Sequence, residues 1–308
     1  MLKDNDYMSR TSKGYIIAII GITFWSVTGV LISYLIKNFG IPALLLAFWR
    51  DLFVCVALLP ALFLIRRSLL HIEVSQIKFF AFYGLILALF NSIWTLSVKA
   101  NGAAVGTVIA YSSAGFTAIL AYWLFSEKLG LHKILAVILS LSGCVLVSGA
   151  YRLDMWKLDP IGLTVGLLSG MFFAAYSLMG KEAARRKLNP WTSLVYSFAF
   201  GTLFMLIFNL IPIPGSARSI NALLPDLPIN GWIILIVLAF VPTIFGFGLY
   251  NTSMNYIPAS NANLLATLEP VLTAIEAYIF LDEQMTILQI IGGLFILSAM
   301  VVIFLEKE

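Results

Sequence analysis

Charge is scarce in this chain. Of its 308 residues only 11% are Asp, Glu, Lys or Arg, while 61% are hydrophobic and the mean hydropathy is +0.98. A soluble domain carries about 25% charged residues, so a globule of this size would lack the polar surface to stay in water. Reactive side chains are scarcer still. The two cysteines, Cys55 and Cys144, both fall inside apolar runs, and the two histidines, His71 and His132, fall in loops. Such cysteines read as small packing residues rather than as a disulfide or a metal site. No HExxH and no cysteine cluster is present, so neither a catalytic metal nor another cofactor is expected. No GxxxxGK[ST] phosphate loop is present either, which argues against an ATP-driven engine. The first apolar run follows Lys3, Arg10 and Lys13 but has no small-residue cleavage site, and it is too long for a signal sequence. It reads as a retained helix.

Long apolar runs are what the chain has in plenty. Crossing a hydrocarbon core takes about 20 residues of helix, and ten such stretches can be laid out: 14–36, 43–65, 77–98, 103–125, 133–150, 160–180, 190–211, 231–252, 259–281 and 286–305. The expectation is an all-α integral membrane protein of ten transmembrane helices. The net charge of +4 sits in short connecting loops, which bears on orientation rather than on nucleic acid, and no nucleic-acid partner is expected. With the N-terminus inside, the inner segments hold Arg66, Arg67, Lys128, Lys133, Lys181, Arg185, Arg186 and Lys187 among others. The outer ones hold only Lys37, Lys99, Arg152, Lys157 and Arg218. That bias predicts both termini in the cytoplasm of a cell (inner) membrane.

The chain also repeats itself. GAAVGTVIAYSSAGFTAILAYWLFSE, from Gly102 to Glu127, returns at an offset of 156 as PASNANLLATLEPVLTAIEAYIFLDE, from Pro258 to Glu283. Earlier spans match at an offset of 148, pairing Gly14 with Gly162, Phe24 with Phe172 and Pro42 with Pro190. The expected organisation is a cytoplasmic segment 1–13 and two five-helix repeats, 14–150 and 160–305. Because five is odd, the repeats enter the membrane from opposite sides, an inverted pair with its substrate site between them. Gly102, Gly106, Ala110, Ala114 and Ala118, with their mates Pro258, Ala262, Ala266, Pro270 and Ala274, form a small-residue stripe suited to close helix packing.

The FWS of Phe24–Ser26, the FWR of Phe48–Arg50, Glu269-Pro270, the terminal Glu127 and Glu283, and the matched runs Ser126–Gly143 and Asp282–Ala299 together resemble the EamA-type permeases of the drug/metabolite transporter superfamily. The resemblance covers nearly the whole chain. It implies a ten-helix carrier, often an exporter of amino acids or related metabolites. Its central cavity would be lined by spans one, three, four, six, eight and nine, with span two outside the main wall.

Intramembrane charge marks the residues of interest, since an ionisable group at the bilayer centre costs about 2.5–3.5 kcal/mol on insertion scales. Arg50 and Asp51 lie in span two; Glu269 and Glu276 lie in span nine. Glu269 reads either as a cavity carboxylate that binds an amine or exchanges a proton, or as a structural partner of Arg50 or a satisfied helix–helix hydrogen bond. Glu276 is open between the same roles, and Arg50 is expected to pair within the scaffold. Glu127 and Glu283, present in both copies, read as structural. The candidate substrate-binding set is Trp25, Asn91, Trp94, Tyr111, Ser113, Tyr176, Tyr250, Asn263 and Glu269, in which several aromatics offer stacking and cation–π surfaces. The positions where the repeats differ, Tyr111 against Thr267 and Ser113 against Glu269, are where substrate choice is expected to lie. A secondary transporter of a small polar or amphipathic metabolite, working by alternating access, is the leading reading. A carrier of sugars or nucleotides would need more basic residues in its cavity. A membrane enzyme would need a nucleophile–base pair, and a sensor an output domain; none is visible. The partners expected are the bilayer, a small-molecule substrate and, as one option, a coupling proton. Oligomeric state is not legible.

Overall fold

A computed structural model describes residues 10–101, 103–152, 160–281 and 286–305. Gly102 and Glu283, named above, lie outside the described residues. Hydrocarbon cannot satisfy a free backbone amide, so a spanning chain must close its hydrogen bonds within helices. The described residues accordingly contain helices and turns and no strand. In order these are α1 (Arg10–Trp25), α2 (Thr28–Phe39), α3 (Ala43–Arg66), α4 (Val74–Asn101), α5 (Ala103–Ala110), α6 (Ser113–Phe125) and α7 (Leu131–Val147). Then follow α8 (Pro160–Arg185), α9 (Pro190–Leu210), α10 (Ile229–Leu238), α11 (Gly248–Ser253), α12 (Ala259–Ala266), α13 (Glu269–Leu281) and α14 (Ile287–Leu305). A π-helical stretch, Ala239–Phe247, joins α10 to α11 and carries Pro242 inside it. Eight stretches among the described residues are long and apolar enough to cross a membrane; α7 is apolar but shorter, at 17 residues.

Three of the expected spans are not continuous, which corrects the sequence reading. The first is interrupted between α1 and α2 at Ser26-Val27. Stretch 103–125 breaks between α5 and α6 at Tyr111-Ser112, and stretch 259–281 between α12 and α13 at Thr267-Leu268. The last two breaks are the same event in the two repeats. Tyr111 N–H reaches back to Val108 O (3.1 Å) and Ser112 N–H to Ile109 O (3.0 Å). At equivalent positions Thr267 N–H reaches Leu264 O (3.1 Å) and Leu268 N–H reaches Leu265 O (2.9 Å). These i→i−3 bonds are a tight 3₁₀ turn that re-aims the helix without leaving its amides unpaired. Pro270 follows the second break in the first turn of α13, where its missing N–H costs nothing. The first copy breaks with no proline at all.

Close helix approach is set by glycine. At the crossing of α7 and α14, a Cβ on Gly143 would lie 2.6 Å from Gly292 O, and one on Gly292 would lie 2.7 Å from Gly143 O. Where α8 passes the α5–α6 break, a Cβ on Gly170 would sit 2.9 Å from Ala110 O. The stripe residues Ala110, Ala114, Ala118, Ala262 and Ala266 are all buried. The long segment after α9 folds back over the start of α3: Gly215 O accepts from Leu44 N–H (2.9 Å) and Leu223 O from Trp49 Nε1 (2.7 Å).

Gly143→Val should therefore force the α7–α14 pair apart, at a cost of about 1–3 kcal/mol typical of overpacking. Gly29→Ala, whose Cβ would meet nothing within 4 Å, serves as the control. Thermal unfolding of the detergent-solubilised protein should show a lowered Tm for the first variant and none for the second.

Candidate functional site

The breaks converge on a narrow cleft. Trp25 reaches it from the end of α1 and Thr28 from the start of α2; Arg50 comes from α3, and Phe90, Asn91 and Trp94 from α4. Thr107, Ala110 and Tyr111 enter at the α5–α6 break, Phe173 from α8, Phe247 from the end of the π-helical stretch, and Glu269 from the first turn of α13. A break places a side chain at mid-helix depth and points it across the bundle, which an uninterrupted helix face does less freely.

Two polar arrangements occupy the wall. In the first, Tyr111 donates its hydroxyl to Glu269 Oε2 at 2.5 Å. Tyr111 and Glu269, each at a position where the repeat copies differ, thus meet each other, one from each break. Glu269 also sits at a helix N-terminus, where the aligned peptide dipoles favour negative charge. In the second, Arg50 (1% exposed) and Asp51 (0%) form an ion pair, Nε to Oδ1, at 3.1 Å. Asn91 Nδ2 donates to the same carboxylate, at 2.9 Å to Oδ2 and 3.3 Å to Oδ1. Residues one apart on a helix do not face each other, but the long Arg50 side chain turns back along α3 to meet its neighbour. Arg50 Nη2 is buried without a protein partner, and so is Thr28 Oγ1.

The rest of the lining is aromatic. The Trp25 ring lies 4.5 Å from Phe247 and 5.5 Å from Phe173, and Phe90 stacks on Phe173 at 4.9 Å with 12° between planes. Five of the nine substrate-binding candidates, Trp25, Asn91, Trp94, Tyr111 and Glu269, meet on this wall. Arg50 joins them, although the resemblance set span two outside the main cavity.

The remaining four candidates are not on the cleft wall. Ser113 donates to Asn263 Oδ1 (2.9 Å), Asn263 Nδ2 donates to Ser177 Oγ (2.8 Å), and Ser177 Oγ bonds Tyr250 OH (2.8 Å). Tyr176 OH accepts from Asn251 Nδ2 (2.8 Å), whose Oδ1 accepts from Tyr83 (3.2 Å). These are two buried polar layers that tie α4, α6, α8, α11 and α12 together. Farther along, Glu127 takes Ala259 N–H (2.8 Å), Ser260 N–H (3.3 Å) and the Ser260 hydroxyl, capping the start of α12. Lys133 Nζ is 3.9 Å from the same carboxylate. Lys181 Nζ closes the neighbouring turn by donating to Met254 O (3.1 Å) and Ile257 O (2.8 Å). Glu276 is held elsewhere, accepting from Ser26 Oγ at 2.5 Å, while Thr273 Oγ1 donates to Ser26 O at 3.0 Å. That contact docks α13 on the α1–α2 interruption. Among the described residues neither Glu269 nor Glu276 forms an ion pair with Arg50. The sequence reading missed Thr28, Phe90, Thr107, Phe173 and Phe247. Their only signal was helical spacing from residues already chosen, Thr28 three after Trp25 and Phe173 three before Tyr176.

The profile of the EamA-like transporter family matches residues 12–149 and again 160–305. The chain belongs to the EamA-like transporter family. Curated relatives agree in length. An uncharacterized transporter of Archaeoglobus fulgidus is 26% identical over 89% of this chain and 92% of its own. A probable amino-acid metabolite efflux pump of Escherichia coli is 25% identical over 95% and 94%. The Salmonella typhimurium protein described in the same words is 24% identical, again over 95% and 94%. A solved crystal structure shares the fold with a TM-score of 0.77, at 16% identity and coverage of 96% and 97%. This EamA-like chain is thus a multi-pass membrane transporter.

For the EamA-like scaffold the Arg50–Asp51–Asn91 group carries a specific energetic expectation. Removing one partner of a buried ion pair costs about 3–5 kcal/mol, because the other charge is left uncompensated. Losing one hydrogen bond to a charged group costs about 1.5–3 kcal/mol. Asp51→Ala should therefore destabilise the detergent-solubilised protein more than Asn91→Ala does, read as the loss of Tm for each.

Proposed function

We propose that this transporter exports a small amphipathic metabolite, an amino acid or an amine, by alternating access around the cleft. The observation that carries the reading is the meeting of Tyr111 and Glu269 at two equivalent helix breaks on an aromatic wall. In this reading residues 14–150 and 160–305 are two inverted five-helix units. The cleft is their midplane site, both termini face the cytoplasm of the cell membrane, and Trp25, Asn91, Trp94, Tyr111 and Glu269 contact the substrate. Ser113, Tyr176, Tyr250 and Asn263 form the closed side beneath it, with Glu127 fastening α12. Efflux-pump relatives support an amino-acid-like cargo. The asymmetry of α12 and α13 supports the motion. Every residue of α12 is buried, whereas Leu272, Thr273, Ala274 and Glu276 of α13 are only half-buried and Ile275 is exposed. One side of the break is enclosed by protein, and the other carries residues only partly covered by it, so α13 has room to shift against the packed core.

Glu269 serves as the site for the substrate's ammonium group and, when substrate leaves, as the site for a coupling proton. In proteoliposomes a pH gradient should accelerate flux of the transported amino acid. Glu269→Gln should abolish that acceleration and also weaken exchange at equal pH, because the variant loses the partner of the ammonium group as well. Gradient-driven flux unchanged in the variant would remove the coupling role.

A further inference from the structure

We infer that Arg50 is a carboxylate-binding subsite, so that the cargo of this cleft must carry an acid group as well as a cationic or apolar one. The inference rests on the proposed transport reading and narrows it to one chemistry at one wall. Among the charged side chains on the cleft wall the guanidinium is the cation and Glu269 the anion. Asp51 takes only the Nε edge of Arg50, at 3.1 Å, and Asn91 holds Asp51 in turn. The distal Nη2 is buried with no protein partner, in a side chain that is 1% exposed. A buried donor on a charged group is costly to leave unmade. Thr28 Oγ1, on the same cleft, is buried and unpartnered too. Two unpartnered donor groups on residues that line one cavity call for an acceptor with two oxygens, and a planar carboxylate matches the guanidinium fork better than a point charge would. Asp51 and Asn91 act as positioning residues: they fix the guanidinium plane from behind and leave its far edge to the cargo. Glu269 and the Trp25 face then meet the ammonium group, so a zwitterion would span the cleft from α3 to α13.

The test is ligand-induced thermal stabilisation of the purified full-length protein, with proteoliposome flux measured in parallel. The probes are L-phenylalanine, L-phenylalaninamide, phenethylamine and inorganic phosphate. The amide keeps the ammonium and loses the acid. Wild type should bind the acid at least about tenfold tighter than the amide, the loss expected for one hydrogen bond to a charged group. In Arg50→Gln/Asp51→Asn, which removes both buried charges together, that ratio should fall to about one. Thr28→Val should lower it by a smaller factor without touching the ion pair. A merely structural Arg50 would move Tm and leave the acid-to-amide ratio alone. Retention of the ratio in the double variant would overturn the inference, as would equal binding of acid and amide by wild type. Amine binding and flux without acid preference would remove the subsite and leave the proposed transport standing. Stabilisation by phosphate equal to that by the acid would also remove it, marking a general anion site. Absence of binding and flux for every organic probe would remove both readings.

Discussion

A helix cannot stop inside hydrocarbon unless something else takes its freed amides and carbonyls, because each one left unpaired costs several kcal/mol. The two equivalent breaks meet this constraint by tightening the helix into i→i−3 bonds rather than by opening it. Everything at the candidate site follows. The breaks bring Tyr111 and Glu269 across the bundle toward each other, and one of them divides the fully buried α12 from the less buried α13. They also need α8 to come close, which Gly170 permits.

The same constraint explains the polar layers. Ser113, Asn263, Ser177 and Tyr250 form an unbroken chain of hydrogen bonds, as do Tyr176, Asn251 and Tyr83. In a low-dielectric interior such networks are strong when complete and costly when broken. Completed as they are here, they hold the helices behind the cleft in one packing. Glu127 at the start of α12 has the same character, with backbone amides, a hydroxyl and Lys133 all converging on one carboxylate.

Much of this was legible in the sequence, and the failures have physical causes. The apolar runs and the duplication marked the helices, and the duplication singled out Tyr111 against Thr267 and Ser113 against Glu269, of which Tyr111 and Glu269 line the cleft while Ser113 and Thr267 do not. The breaks were hidden because Tyr111-Ser112 and Thr267-Leu268 sit in runs with no glycine or charge at the turn, and a 3₁₀ step leaves no hydropathy signal. Pro270 hinted at a bend in one copy but could say nothing of the other. Arg50 was expected to pair within the scaffold, with Glu269 as one option; its partner is Asp51, the next residue, through a side-chain fold that periodicity does not register. Tyr176 and Tyr250 looked like cavity aromatics by depth and type, yet their hydroxyls are spent on the layers behind the wall.

The central claim is that this cleft is the substrate site and that it opens to one side of the membrane at a time. Thr107 lines it and is half-buried, so a single cysteine there, in a chain with Cys55 and Cys144 replaced by alanine, reports on it directly. A membrane-impermeant maleimide applied to each face of oriented vesicles should label Thr107→Cys from one face, and saturating transported substrate should block that labelling. Labelling that a transported substrate leaves unchanged, or labelling from both faces at the same rate, would contradict the account.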